Sequence, residues 1–329
     1  MPRLGVVGTM VWDTIYARDA GRDEPTQEWG GIAYALSAFE AAAGDDWTLF
    51  PMIKLGRDLE EPAFRFLNGL EKLDSLEGVQ VVSERNNRVE LRYDRSVRTC
   101  ERLTGGVPGW SAAELLPLAS ACDALYVNFI AGWELDLAAA RGLGSELEGP
   151  IYCDIHSLLL GVGPGGFRRL RCLEEWREWL ACFDIVQVNE AELTTLASGE
   201  GGDPWRVVAQ ALSGRTRAVL VTLGSRGAAW IASPSFWRRG LAARRGSVED
   251  PALASGLVES ERIVPEADPT GCGDVWGITC FTSMLAGDSL ETAMGRANEL
   301  ASRNAELRGA SHLARVLRRD GRLLPGEAG

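Results

Sequence analysis

The chain has 329 residues, of which 46% are hydrophobic and 24% are charged, as expected for one large globular domain or two small ones. Its net charge of −12 argues against general binding to nucleic acid or to an anionic membrane, since both favour basic surfaces. The seven cysteines are scattered and include no CxxC pair, which predicts reduced thiols in a cytoplasmic protein instead of a disulfide or zinc framework.

Short apolar runs alternate with helical patterns along the chain. The runs are almost continuously hydrophobic, which is typical of parallel strands buried on both faces. The predicted strands are Leu4–Val7, Ala124–Val127, Ile151–Ile155, Phe183–Val188 and Ala218–Leu223. The predicted helices are approximately Ile32–Ala43, Pro62–Leu73, Ala112–Ala119, Leu135–Gly144, Phe167–Cys182 and Trp205–Leu212. The alternation predicts an α/β fold with a doubly wound, mostly parallel central sheet flanked by helices, whose ligands bind beyond the carboxyl ends of the strands.

Two segments interrupt this alternation. Residues 14–29 are polar and have no helical period, and residues 86–105 contain a half-alternating run, Val89–Tyr93, that predicts a solvent-facing strand. Together they predict a small β-flap, or lid, inserted into a single domain that spans residues 1–329. Residues 242–256 are rich in alanine, arginine, glycine and serine, which predicts a mobile loop.

The segment Asp268-Pro-Thr-Gly-Cys-Gly-Asp274 leads from a polar loop into an apolar helix. Small residues at a helix start expose backbone N–H groups, and the helix dipole adds partial positive charge, so the pattern predicts a phosphate cradle. Asp274 has two interpretations on local chemistry: it caps the helix, or it serves as a general base that takes a proton from a substrate hydroxyl.

Other motifs also keep two interpretations. Asn189-x-x-Glu192 is by itself a capping box, and Gly224 and Gly227 form a plausible hairpin turn. His156 has no evident acid and nucleophile partners, which favours a hydrogen-bonded structural role. Gly161–Gly166 fits GxGxxG, but it does not directly follow a strand, so a nicotinamide site is disfavoured.

The cradle resembles the signature of the PfkB (ribokinase-like) carbohydrate kinases, and further motifs of that family follow in matching order along nearly the whole chain. These motifs are Gly8 and Asp13, Gly30-Gly31, Gly56-Arg-Asp58, Asn189-Glu-Ala-Glu192, Thr222-Leu-Gly224-Ser-Arg-Gly227, Ala297-Asn298 and Gly309-Ala310. The resemblance implies a ribokinase-like fold and an ATP-dependent kinase whose acceptor is the hydroxymethyl group of a small sugar or nucleoside.

The resemblance also assigns roles. It implies that Asp274 is the general base and that the Gly271, Cys272 and Gly273 amides form an anion hole. Asn189 and Glu192 would organise Mg²⁺, largely through water. The ATP site would comprise Thr222, Gly224, Gly227, Thr270 and Asn298, and the acceptor would face Asp13, Gly30 and Gly31. The lid would close over the substrate and pair two subunits as a homodimer, and the assistance of a monovalent cation stays open.

Three positions depart from the family pattern. Pro269 stands where a threonine is usual. Cys272 replaces an alanine and has two interpretations: it is simply a small residue, or it is a reactive thiol whose pKa the helix start lowers. Ala35 occupies the position at which many sugar-specific members carry an acceptor-binding asparagine, so the identity of the acceptor stays open. The alternatives are a nucleoside kinase of the same fold and a non-catalytic sugar or nucleotide sensor, although a sensor has no need of the base.

Overall fold

The computed structural model describes residues 1–16, 25–94, 97–212, 214–243, 253–262, 264, 268–307, 309–311 and 313–319. Within these ranges the strands are β1 Arg3–Gly8, β2 Met10–Tyr16, β3 Thr26–Gly31, β4 Thr48–Gly56, β5 Val79–Val82, β6 Arg88–Asp94, β7 Val97–Thr104, β8 Ala124–Asn128, β9 Ile151–Asp154, β10 Leu160–Val162, β11 Arg168–Leu170, β12 Ile185–Asn189, β13 Ala218–Thr222, β14 Ala228–Ala232 and β15 Ala254–Val258. The helices are α1 Ile32–Ala42, α2 Glu60–Leu67, α3 Ala112–Ala119, α4 Leu137–Glu146, α5 Trp176–Ala181, α6 Glu190–Ala197, α7 Pro204–Ala209, α8 Pro234–Arg239, α9 Cys272–Leu285, α10 Leu290–Asn304 and α11 Leu313–Arg319.

The apolar runs of the sequence form a nine-stranded central sheet in the order β15-β14-β13-β12-β9-β8-β1-β4-β5. The strands from β13 to β5 pair in parallel, whereas β14 pairs antiparallel with both β13 and β15. The direction of strand order reverses between β1 and β8, and a crevice at such a reversal is where α/β sheets bind ligands. The predicted doubly wound, mostly parallel α/β fold is confirmed.

Helices cover both faces of this sheet, which explains why its strands are hydrophobic on both sides. One apolar cluster joins α1, α9, α10 and α11 to one face, and a second joins α3, α4, α5, α6 and α7 to the other. Among the described residues, no helix combines the length and the apolar character that crossing a membrane requires.

The lid is a separate four-stranded sheet in the order β3-β2-β6-β7. The chain enters it directly from the central sheet, because β2 begins two residues after β1 ends. Its buried face carries a small apolar cluster that includes Val11, Ile15, Val89 and Leu91. These strands occupy most of the two segments expected to form the flap, although residues 17–24 and 95–96 lie outside the described part of the chain.

The predicted helix Phe167–Cys182 is wrong in its first part. Arg168–Leu170 is a strand that pairs antiparallel with β10, and only Trp176–Ala181 is helical. The Arg168 side chain explains the difference: its guanidinium is buried, 3.1 Å from a Glu101 carboxylate oxygen of the lid and 2.8 Å from the Ile130 carbonyl. The Gly161–Gly166 motif lies in this hairpin and leads into a strand, so it lacks the strand–turn–helix geometry of a dinucleotide site.

Two other regions also differ from expectation. The predicted mobile loop at 242–256 is wrong at its end, since Ala254–Val258 forms β15 on the edge of the sheet; residues 244–252 lie outside the described ranges. The buried strand Thr48–Gly56 was not predicted, because it contains Pro51 and Lys54, which are unusual in a central strand. Lys54 is accommodated because its ammonium donates to the Gly109 carbonyl at 2.9 Å and contacts Glu114 at 3.0 Å.

Candidate active site

The glycine-rich segment forms the N-terminus of α9. Gly271 caps this helix in the left-handed region, with φ of 75°, and a side-chain carbon there would lie 2.3 Å from the Tyr34 ring, so only glycine fits. The Cys272 amide donates to the Pro269 carbonyl at 3.2 Å and closes a turn. The Cys272 amide, which is one of the three expected in the anion hole, therefore also stabilises the loop. It lies at the positive end of the helix dipole.

Asp274 lies in the first turn of α9 and is half-buried. Asn128, the last residue of β8, donates from Nδ2 to Asp274 Oδ1 at 2.7 Å, a bond between residues 146 positions apart. The carboxylate is thus oriented by a side chain of the central sheet, in addition to its place in the helix. Asp274 does not itself line the cleft described below, but its neighbour Gly273 does.

The loop before the helix is held by three other parts of the molecule. Asp268 accepts from the Thr270 amide at 2.9 Å, and Asn304 of α10 donates to the Thr270 carbonyl at 2.9 Å. The Thr270 hydroxyl is hydrogen bonded to the hydroxyl of Tyr93 in lid strand β6 at 2.9 Å. Thr270, expected in the ATP site, therefore joins the lid to the loop before α9.

A cleft of about 210 Å³ opens beside this loop. Its lining includes four residues expected in the ATP site, Thr222, Gly224, Gly227 and Asn298, and two expected in the anion hole, Cys272 and Gly273. Thr270 and Gly271 do not line it. Apolar side chains form much of the remaining wall, namely Val264, Pro269, Trp276, Ala301 and Ala305. The structure therefore brings the Thr222–Gly227 segment between β13 and β14, the nucleotide-loop motif, to the same cavity as the cradle of α9.

The side chain of Asn298 is already bonded inside the protein. Its Oδ1 accepts from Trp276 Nε1 at 2.8 Å, and its Nδ2 donates to the Val258 carbonyl at 3.0 Å. Asn298 therefore shapes the wall of the cleft by holding Trp276 and β15 in place. Asn298 lines the cleft, and its expected place near the adenine stays a prediction, because its side-chain hydrogen bonds go to protein groups.

The Asn189-x-x-Glu192 motif is a capping box at the carboxyl end of β12. Asn189 Oδ1 accepts from the Glu192 amide at 3.0 Å, and Glu192 Oε2 accepts from the Asn189 amide at 2.7 Å. Glu192 is buried, and its Oε1 is bonded to both Asn189 Nδ2 and His156 Nδ1. The structural interpretation of His156 as a hydrogen-bonded residue agrees with this contact.

On the acceptor side, Asp13 of β2 is buried and packs against Gly30, while Gly31 caps α1. Tyr34, in the first turn of α1, lies between this pair and Gly271. Burial, and then the negative charge of Asp13, raises the pKa of Tyr34 well above its usual value, so the phenol stays a hydrogen-bond donor. Tyr34 was not a sequence candidate, although it follows the diglycine closely.

A buried carboxyl lies beneath the cradle. Asp154, the last residue of β9, accepts from Gln187 Nε2 at 2.9 Å and from the His156 amide at 3.0 Å. Burial, and then the charge of Glu192, raises the pKa of Asp154 to about 8. The neutral form therefore predominates at pH 7, which limits the negative charge near a bound phosphate.

Of the two interpretations of Cys272, the structure favours the small packing residue over a thiol of lowered pKa. Burial raises this pKa to about 12, and the nearby Asp268 and Asp274 carboxylates act in the same direction. The thiol lies 3.4 Å from the Ala301 carbonyl, to which it donates, and accepts from Asn304 Nδ2 at 3.4 Å. Cys272 is thus a small packing residue between the loop and α10.

The comparison with protein families matches residues 168–315 to the pfkB family carbohydrate kinases. The matched range contains the Asn189–Glu192 motif, the nucleotide-loop motif and the whole cradle. No curated protein sequence matches the chain at a significant level.

Solved structures match over nearly the whole chain. A nucleoside kinase from Burkholderia thailandensis, in complex with inosine, is 18% identical, with a TM-score of 0.68 over 95% of this chain and 94% of its own. A ribokinase from Thermotoga maritima is 16% identical, with a TM-score of 0.66 over 97% and 99%. A fructokinase from Xylella fastidiosa with bound ATP is 14% identical, with a TM-score of 0.67 over 96% and 98%. The chain therefore has the ribokinase-like fold, and its residues 168–315 carry the match to the pfkB carbohydrate kinase family.

Proposed function

We propose that this protein is an ATP- and Mg²⁺-dependent kinase that phosphorylates a hydroxymethyl group on a small sugar or sugar-like acceptor. One observation carries the proposal: Asp274 is fixed by Asn128 in the first turn of a helix whose N-terminus borders a cleft lined by the nucleotide-loop residues. The family match over residues 168–315 includes Asp274, the helix and the nucleotide-loop residues, whereas Asn128 lies outside it.

In this mechanism Asp274 accepts the proton of the acceptor hydroxyl as that oxygen forms a bond to the γ-phosphorus. The bond from the γ-phosphorus to the β,γ-bridging oxygen breaks, and ADP leaves with that oxygen. Backbone amides of the Gly271–Gly273 segment, together with the dipole of α9, stabilise negative charge on the transferring phosphoryl group. Phosphoryl transfer depends mainly on positioning and charge neutralisation, and a fixed carboxylate beside a helix N-terminus supplies both. The lid, bonded to Thr270 through Tyr93, would keep water from the transferring group.

Mg²⁺ fits the Asn189–Glu192 site only as a hydrated ion. Oxygen donors suit this hard cation, but both Glu192 oxygens are already hydrogen bonded, and the described residues include no group of three or more metal-binding side chains. Glu192 and Asn189 would therefore hold Mg²⁺ through water. When bound, the ion supplies neutralisation of phosphate charge. Assistance by a monovalent cation and pairing of two subunits through the lid stay predictions.

The donor and acceptor proposals rest on different features. The largely apolar wall of the cleft, with Ala301, Ala305 and Trp276, suits the flat face of a nucleobase, which supports ATP as the donor. On the acceptor side, Ala35 is completely buried and offers no polar group, so a nucleoside acceptor is the second candidate. The fold match to a nucleoside kinase in complex with inosine is compatible with either acceptor.

The test is ADP release by purified protein with ATP and Mg²⁺ across a panel of pentoses, hexoses, polyols and nucleosides. We expect one chemical class to raise ADP release well above the acceptor-free rate. Binding of ATP and of an acceptor without ADP release for any compound would instead identify a sensor. The same panel decides between the sugar and nucleoside candidates.

A further inference from the structure

Three buried polar side chains form a row beneath the N-terminus of α9. Asn128, Asp154 and Gln187 come from three neighbouring parallel strands, and the sheet register pairs Asn128 with Asp154 and Asp154 with Gln187. Their exposed fractions are 0%, 4% and 2%. Polar groups this deep in a sheet are costly unless they are bonded, so the row requires an explanation beyond packing.

Two members of the row bond directly to the first turn of α9. Asn128 Nδ2 donates to Asp274 Oδ1 at 2.7 Å, and Gln187 Nε2 donates to the Gly273 carbonyl at 3.1 Å. Gln187 is itself held, because its Oε1 accepts from the Tyr152 hydroxyl at 2.7 Å and its Nε2 also donates to Asp154 at 2.9 Å. The proposed base and the adjoining anion-hole residue are therefore both attached to the sheet.

The helix is shaped to approach this row closely. A side-chain carbon at Gly277, one turn beyond Gly273, would lie 2.4 Å from Gln187 Oε1 and 2.6 Å from the Tyr126 hydroxyl. A glycine is thus required for the helix to sit at this height above the strands. This contact is independent of the two hydrogen bonds and leads to the same conclusion, that the sheet sets the position of the helix start.

We propose that Asn128 is a positioning residue for the base: it holds one carboxylate oxygen of Asp274, so that the group presents itself to the acceptor hydroxyl in one orientation. The role rests on the proposed kinase function. The bond from Asn128 to Oδ1 fixes the plane of the carboxylate, which sets the direction from which a proton can reach the group. Gln187 plays the corresponding part for the anion hole, by fixing the carbonyl of Gly273.

The most direct test needs no substrate. The side-chain carboxyl of Asp274 is followed by ¹³C NMR as the pH is varied, with its signal assigned from its loss in Asp274→Asn. We expect the titration midpoint to move to higher pH in Asn128→Ala, because a donor to the charged form is lost, and further in Asn128→Asp, which brings a second carboxyl. Thr279→Val, a buried change on the same helix, is the matched control and leaves the midpoint unchanged.

Other titrating groups near Asp274 must be separated from this effect. They are Asp154 from β9, Tyr126 from β8, Tyr34 from α1 and Cys272 from α9 itself. Of these only Asp154 titrates near neutral pH, so the series is repeated in Asp154→Asn. In the wild-type protein, the Asn128 side-chain amide signals should follow the Asp274 titration, a measurement that does not depend on the folding of any variant.

With the acceptor identified, Asn128→Ala should lower kcat about 10- to 100-fold, as expected for a misplaced catalytic group, and leave the KM for ATP within about threefold. The acidic limb of the kcat profile should move to higher pH. Absence of turnover in the wild-type protein would count against the kinase function alone, because the NMR titration decides the role of Asn128 without substrate. An unchanged Asp274 midpoint in both Asn128 variants, or Asn128 amide signals that ignore the titration, would overturn the proposal.

Discussion

The proposed donor side and the proposed acceptor side of the active site are built from different structural elements. The donor side consists of α9, α10 and the β13–β15 edge, and its lining is mainly glycines, small side chains and the Trp276 ring. The acceptor side consists of α1 and the lid strands β2, β3 and β6, and it presents side chains such as Asp13 and Tyr34. The family match covers residues 168–315 and thus includes the donor side and excludes the acceptor side.

This difference has a physical reason. Holding a triphosphate depends on backbone geometry, which only a few residue types allow, so donor motifs can be recognised in a single sequence. Recognition of an acceptor depends on individual side chains, which follow no fixed local pattern. The following experiments test this division, beginning with the largest expected effect.

The largest loss of kinase activity is expected from Asp274→Asn, which lies between the proposed donor and acceptor sides. Removing a positioned general base should lower kcat by about 10²- to 10⁴-fold. Nucleotide binding should persist, because the cleft and the amides of the cradle are unchanged. Quenching of tryptophan fluorescence by ATP measures binding, and ADP release measures turnover. Equal turnover in mutant and wild type would remove Asp274 from the mechanism.

Gly271→Ala tests the backbone requirement of the donor side. The new side chain would occupy a left-handed conformation and meet the Tyr34 ring at 2.3 Å, so we expect a loss of about 1–3 kcal/mol in the free energy of unfolding. Weaker ATP binding should accompany it, because the cradle must shift. Gly295→Ala in α10 is the control: nothing lies within 4 Å, and the change should raise stability by about 0.5–1 kcal/mol. Chemical denaturation compares the two variants.

The buried Asp154 predicts an unusual pH dependence of stability. Its pKa is raised to about 8 in the folded protein, so between about pH 4 and 8 the folded state holds a proton that the unfolded state has lost. Its contribution to the free energy of unfolding therefore falls as pH rises through this window, by at most about 1.4 kcal/mol per pH unit. Asp154→Asn should flatten this slope in urea titrations; an unchanged slope would show that Asp154 ionises normally.

Tyr93→Phe removes the hydrogen bond between the lid and the loop before α9. Loss of its hydrogen bond to Thr270 is expected to cost about 0.5–1.5 kcal/mol, which corresponds to a rise of about two- to tenfold in the KM for the acceptor. Thr270→Val should have a similar effect, and the double variant should be no worse than either, because both remove the same bond. Fully additive losses would show that the two hydroxyls act separately.

The smallest effect is expected for thiol modification of Cys272. Because burial raises its pKa to about 12, very little thiolate forms at pH 8, and alkylation should be slow with or without ATP. The exposed Cys172 serves as the reactive reference in the same peptide-mapping experiment. Rapid labelling of Cys272 would mean that the loop opens away from α10.

The division between local motifs and residues distant in sequence also explains which parts of the site could be predicted from the sequence. The cradle, the capping box and the nucleotide-loop motif were recognisable, because each depends on residues a few positions apart. Missed residues on the floor of the site, such as Asn128 and Gln187, are single polar residues in apolar strands, and no local pattern marks them. The helix predicted over Phe167–Cys182 failed for a related reason: Arg168 is held by Glu101, 67 positions away.

The sequence by itself determined the strand–helix alternation, the helix start at Gly271 and the presence of a carboxylate in the first turn of α9, because hydrophobic period and backbone conformation are local properties. Only the tertiary structure decided what that carboxylate is bonded to, how the lid reaches the loop and why the pKa of Cys272 is raised. Parallel strands place residues distant in sequence side by side, and burial then sets their charge, which is why these features required the assembled fold.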